Sequence, residues 1–92
     1  LSARLGDWVI FNACREAAKW PAHLRVAVNV TEAQLLRDDL FKSIAASLEM
    51  TGIDPSRFEL ELSEAVMTRF RREVVEKLAD LKRLGIRIAL DD

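Results

Sequence analysis

The sequence predicts an α/β fold with parallel strands, its elements running α-β-α-β-α-β. Three observations carry this expectation. Three stretches repeat apolar residues at helical spacing, three short apolar runs alternate polar and apolar residues, and the two kinds of segment take turns along the chain. Alternation at this spacing builds βαβ units and a parallel sheet.

The first helix is expected over roughly Ala3 to Lys19, with Leu5, Trp8, Val9, Ala13 and Ala17 on one face. Ile10, Phe11 and Cys14 widen the stripe, so more than one side of this helix should be covered. Pro21 stops it, and Arg25–Val30 (RVAVNV) reads as the first strand. The second helix places Phe41, Ile44, Ala45 and Leu48 at i, i+3, i+4 and i+7, with Asp38 or Asp39 as its N-cap and Gly52 as its stop. Phe58–Leu62 (FELEL) is the second strand. The third helix runs from about Arg71 to Leu84, turning Val74, Val75, Leu78 and Leu81 inward, with Gly85 just past its end. Ile86–Leu90 (IRIAL) is the third strand.

Composition narrows the function classes. A chain of 92 residues, half of them apolar and 32% charged, is ordinary for one small soluble domain. The net charge of −1 creates no general attraction for a nucleic-acid polymer or an anionic membrane. No apolar run is long enough to cross a bilayer, and the first residues do not read as a signal peptide. The single cysteine, Cys14, excludes an internal disulfide and fits a reducing, cytoplasmic setting. The start at Leu1 and the stop on two aspartates directly after an apolar run are expected of a piece of a longer polypeptide.

Side chains alternate across a strand with period two. Val26, Val28 and Val30, then Phe58, Leu60 and Leu62, then Ile86, Ile88 and Leu90 give one wholly apolar face that suits a layer of helices. The other face is polar, with Asn29, Glu61 and Asp91 at the carboxyl ends of their strands, 32 and then 30 residues apart. Core packing does not ask for those residues there, whereas the carboxyl ends of parallel strands are where βα proteins build sites. An amide oxygen and several carboxylates are hard donors that suit Mg²⁺ or Mn²⁺ rather than zinc. Clustered carboxylates also repel unless a cation or protons offset them. Two such ions can activate a water and stabilise the leaving oxygen in phosphodiester cleavage.

Arg25, Glu59 and Arg87 lie in phase with those residues but toward the strand beginnings. A partly buried ion network that compensates Glu59 is expected there, so that Glu59→Gln lowers stability.

Five fragments in register resemble the EAL domain family of bacterial cyclic-di-GMP phosphodiesterases. Leu5-Gly6-Asp7-Trp8-Val9 with Ala13-Cys14 resembles the LG-x-WV…AC helix, and Val26 to Thr31 with Gln34-Leu35 resembles VNLS-x-x-QL. Thr51-Gly52-Ile53 with Pro55 resembles the TG-[LI]-x-P turn. Glu59 to Glu64 resembles ELE-[IL]-T-E, and Gly85 to Asp92 resembles G-x-x-[IL]-A-[LI]-DD. Thr31 and Ser63 exchange one hydroxyl residue for another, and Glu32 stands where the family often has proline.

The resemblance covers essentially the whole chain but about the middle third of the family's domain, so residues 1–92 are expected to be its central part, incomplete at both ends. It implies a TIM-like (β/α) barrel, hydrolysis of cyclic-di-GMP to linear pGpG with Mg²⁺ or Mn²⁺, and a homodimer formed through the complete domain. By the motif match, Asn29, Glu61 and Asp91 ligate metal, Asp92 contacts the second metal, and Glu61, Asp91 and Asp92 form the catalytic set. Glu64 matches a position tied to holding the loop after the paired aspartates. Strand alternation alone favours Asp91 and turns Asp92 away, so Asp92 rests on the resemblance. The glutamate of the EAL motif is expected before Leu1 and the later lysine, glutamate and glutamine beyond Asp92, so this segment alone is expected not to catalyse.

Plainer readings of the same residues stay open. Asn29 could cap the segment after it, Glu61 could face solvent on an open sheet, and Asp91–Asp92 could be an N-cap and its neighbour. Glu64 could simply enter a helix. His23 reads as a solvated turn residue, Cys14 as helix packing, and Trp8 and Trp20 as core and edge packing. The arginines Arg69, Arg71 and Arg72 read as a solvated turn. At the level of function, the alternative to an enzyme is a degenerate barrel that binds cyclic-di-GMP as a receptor without cleaving it. Two open sheet edges also make aggregation of the isolated segment a hazard.

Overall fold

The computed structural model describes residues 2–37, 39–69 and 71–91, with the side chains of 2–5, 67–69, 71 and 91 outside that description. In chain order the elements are α1 (Ser2–Ala17), β1 (Val26–Asn29), α2 (Glu32–Leu35), α3 (Leu40–Thr51), a 3₁₀ turn (Pro55–Arg57), β2 (Phe58–Ser63), α4 (Glu64–Arg69), α5 (Arg71–Lys82) and β3 (Arg87–Asp91). The expected alternation is present. Periodicity gave no sign of α2, the 3₁₀ turn or α4, all too short to show a hydrophobic period.

The three strands form one parallel sheet in the order β1-β2-β3. Val28, Leu60 and Ile88 share one rung; Asn29, Glu61 and Ala89 share the next. On the helix-covered face Val26, Val28, Val30, Phe58, Leu60, Leu62 and Ile86 are all buried, as the alternation requires. Phe58 and Leu60 are fully buried in the central strand, and each contributes about 1.5–3 kcal/mol relative to exposure. Ile88 is half-buried and Leu90 is 55% exposed, because β3 is an edge among the described strands.

The helices bury narrower stripes than expected. In α1 it is Ile10, Cys14 and Ala17 that are buried, while Trp8 is 63% exposed and Val9 is also exposed. The reason is geometric: α1 packs against α3 and β1, and that contact covers one side of a helix that is apolar on two. In α3, Leu40, Ile44, Ser47 and Leu48 point inward and Phe41 lies at the margin. In α5, Val74, Leu78 and Leu81 are buried but Val75 is exposed.

Helix ends follow capping chemistry in part. Gly52 takes a left-handed conformation (φ 72°) and donates its N–H to Leu48 O, ending α3 as expected. Gly85 (φ 93°) closes the turn after α5 by donating to Lys82 O. Asp39 occupies the α3 N-cap position without a side-chain bond to the helix; its carboxylate pairs with Arg37 instead. Asp38 lies outside the described residues.

Arg57 ties the start of β2 to the end of α1. Its guanidinium donates to Leu24 O at 2.9 Å, Ala17 O at 2.8 Å and Pro21 O at 3.3 Å. Ala17 O and Pro21 O also accept from Trp20 N–H and Leu24 N–H at 3.0 Å, so the cation is a second donor to each and joins them to Leu24 O. Removing it should cost about 2 kcal/mol, the range for hydrogen bonds to a charged group. Arg57→Ala is expected to lower the denaturant midpoint accordingly and Arg57→Lys to recover only part, since an ammonium lacks the planar fork. An unchanged midpoint in Arg57→Ala would count against the clamp.

Burial pushes the Cys14 thiol up to about 11 from its usual 9.0. The folded chain thus prefers the neutral thiol, and the associated stability is present below pH 9 and lost as pH rises toward 11. Native protein at pH 8 is expected to resist alkylation at Cys14 until denaturant is added. Compared with Cys14→Ala, the wild type should lose more stability between pH 9 and 11; fast labelling in native buffer would contradict this packing.

Candidate functional site

The polar face of the sheet meets solvent at the carboxyl ends of its strands. β1 ends on Asn29, which is exposed, and its Cα partner across the ladder is Glu61, which is half-buried. Strands lie about 4.8 Å apart, so an amide oxygen and a carboxylate stand side by side on one rung. The ladder continues beyond Asn29, with Val30 N–H donating to Glu61 O at 3.1 Å. Parallel pairing thereby fixes the backbone of both residues at once.

On β3 the same rung carries Ala89, and Asp91 takes the register position opposite Ser63, two residues further along. Position 91 is in phase with 61 by strand alternation, but the Asp91 side chain lies outside the described residues, as does all of Asp92. Glu64 opens α4 directly after β2, in the first helical turn, where a carboxylate is favoured by the helix dipole. The structure therefore brings Asn29 and Glu61 together and sets Glu64 just beyond the strand end. Among the described residues, no group of three His, Cys, Asp or Glu side chains is arranged to hold a metal ion.

The turn after Asn29 is tightly capped, a feature that the strand and helix patterns did not bring out. Thr31 and Gln34 form a capping box at the start of α2: Gln34 N–H donates to Thr31 Oγ1 at 3.2 Å, and Thr31 N–H donates to Gln34 Oε1 at 2.9 Å. The T-x-x-Q spacing was the available signal. An open groove of about 400 Å³ runs beside it, lined in part by Val9, Val28, Asn29 and Gln34.

The expected ion network around Glu59 is absent among the described residues. Arg87 is its register partner, yet Arg87 Nε donates to Ser56 O at 3.2 Å and Arg25 is exposed. Glu59 itself is half-buried with no ion pair to either arginine. The carbonyl of Ser56 in the 3₁₀ turn takes the Arg87 guanidinium in place of the Glu59 carboxylate. His23 is exposed in the turn between α1 and β1, and Arg72 is exposed at the start of α5; the side chains of Arg69 and Arg71 lie outside the described residues.

The whole chain, residues 1–92, matches the EAL domain. The chain belongs to the EAL domain family. It is 43% identical over 88 residues to a signalling protein of Caulobacter vibrioides and 38% identical over 92 residues to a cyclic di-GMP phosphodiesterase of Pseudomonas aeruginosa. Each match takes in 96% of this chain but only 11% and 16% of the relative's length. Among solved structures, the PaMucR phosphodiesterase in its c-di-GMP complex superposes with a TM-score of 0.91 at 30% identity, over 97% of this chain and 40% of that one. The EAL segment thus has the α/β architecture expected, a small parallel sheet flanked by helices that corresponds to part of an incompletely closed TIM-like barrel. No described helix is long and apolar enough to cross a membrane.

With no ion pair to lose, Glu59→Gln is expected to change the denaturant midpoint little, within about 0.5 kcal/mol, as for most substitutions away from a packed or paired group. A loss of several kcal/mol would restore the buried network.

Proposed function

We propose that this segment is the central part of a domain that hydrolyses cyclic-di-GMP to linear pGpG in bacterial second-messenger signalling, and that it supplies part of that domain's metal site. The observation that supports this best is the shared rung of Asn29 and Glu61 at the carboxyl edge of the sheet. The likeness to a cyclic di-GMP phosphodiesterase at 38% identity points the same way.

The donors fit a hard divalent cation. Asn29 offers a neutral amide oxygen and Glu61 a carboxylate on adjacent strands, a set suited to Mg²⁺ or Mn²⁺, which keep several waters and take few protein oxygens. Asp91 and Asp92 are the further ligands in this reading, with Glu61, Asp91 and Asp92 as its catalytic carboxylates. A divalent cation bound there supplies charge stabilisation at the scissile phosphodiester and acidifies a water. Glu61 holds its place because Leu60 and Leu62 on either side of it are buried and its own carbonyl accepts from Val30. Asn29 adds an oxygen without adding negative charge, which limits repulsion among the carboxylates. Glu64 stabilises the loop beyond the paired aspartates. The same reading carries a homodimer formed by the complete domain and a cytoplasmic setting.

The test is Mg²⁺-dependent hydrolysis of cyclic-di-GMP by the complete domain carrying this segment, beside its Glu61→Gln variant. The wild type should release linear dinucleotide and the variant should lose more than about 100-fold, since even outer partners of metal ligands are worth about 10- to 100-fold. Binding without any cleavage would move the assignment to a receptor. Neither binding nor cleavage would overturn both.

A further inference from the structure

Asn29 is held by the residues immediately after it in the chain. Val30 stays in the ladder through its bond to Glu61 O. The next amide, Thr31 N–H, has left the sheet and donates to Gln34 Oε1, which also accepts from the Thr31 hydroxyl at 3.2 Å. To make these bonds the Gln34 side chain reaches back along α2, and its amide then lies against the backbone of Gly6 in α1. A Cβ at position 6 would stand 2.8 Å from Gln34 Nε2, closer than such atoms approach. With an alanine at position 6 the end of the Gln34 side chain has to move from where it now sits. Gly6 is an ordinary helical residue in other respects, without the positive φ seen at Gly52 and Gly85.

We propose that Gly6 and Gln34 are positioning residues for Asn29. The glycine admits the amide, the amide locks the backbone where β1 ends, and the lock fixes the direction from which the Asn29 oxygen meets a divalent cation. This rests on the reading of Asn29 as a ligand. A ligand left free to rock loses affinity even when its own chemistry is intact.

The two residues predict different signatures from a purely structural role. Gly6→Ala places a better helix former in α1, so its melting temperature should change little, while the shifted amide loosens its hold on Thr31. Gln34→Ala removes the acceptor outright, and Gln34→Glu keeps an oxygen that can accept from the same N–H.

The experiment uses the complete domain and measures Mn²⁺ binding by calorimetry, hydrogen exchange at the Val30 and Thr31 amides, and the melting temperature. Gly6→Ala and Gln34→Ala should weaken Mn²⁺ binding about 10-fold, the lower end for a partner that orients a ligand. Both should also speed exchange at Thr31, and Gln34→Glu should stay near wild type in each measurement. If Gly6→Ala and Gln34→Ala bind Mn²⁺ as the wild type does while Asn29→Ala does not, the ligand reading stands and the positioning role is overturned. Should Asn29→Ala bind as the wild type does, the ligand reading fails and the positioning role falls with it.

Discussion

The burial of one face of a parallel three-stranded sheet decides where every polar side chain of the opposite face stands. Phe58, Leu60 and Leu62 occupy the centre of the apolar face and are sealed by the helices. Slipping β1 or β3 by one residue would turn its apolar row to solvent, so the register is strongly specified. Glu61 inherits its address from that constraint, and Asn29 inherits its own from pairing with Glu61. Site geometry is in this sense a by-product of core packing. The polar residues contribute little to holding themselves in place.

The remaining restraint comes from the ends of the elements. Arg57 gathers three carbonyls at the bottom of the sheet, where α1 stops and the chain turns into β1. At the top, Thr31 and Gln34 close the turn after Asn29 against the flank of α1. The first device joins segments far apart in sequence by one charged group; the second is local and neutral. Both use backbone groups that the regular elements leave unsatisfied. The sheet is therefore held at both ends of β1, which matters because β1 is an edge among the described strands and only four residues long.

The legible parts of this fold were those written as periodic patterns. Strand alternation placed Val28, Leu60 and Glu61 on the correct faces, and helical spacing found α1, α3 and α5. Asn29 and Glu61 stand out because oxygen donors recur about one βα unit apart at the carboxyl ends of successive strands, where βα proteins build sites. Trp8, Val9 and Val75 are exposed despite their helical phase, because a pattern records which sides of a helix are apolar, not which of them a neighbour covers. Phase misleads at Glu59 for a related reason: it predicts which side chains are neighbours, but Arg87 has a second acceptor in Ser56 O that no periodicity reveals. The reach of Arg57 across the chain left no local trace at all. Gln34 did leave one in its spacing from Thr31, but its contact with Gly6 needed the fold.

The proposed site puts a divalent cation at the carboxyl edge of the sheet and not over the row beneath it. Paramagnetic broadening by Mn²⁺ in amide spectra of the complete domain tests it directly. Val26 and Val30 lie about 13 Å apart along the strand direction, far enough for a steeply distance-dependent effect to tell the two ends apart. Broadening centred on Val30 and Leu62, fading toward Val26, Phe58 and Arg87, is the predicted result. Broadening centred near Glu59 at the strand beginnings, or on the acidic residues of the helix surfaces, would contradict it.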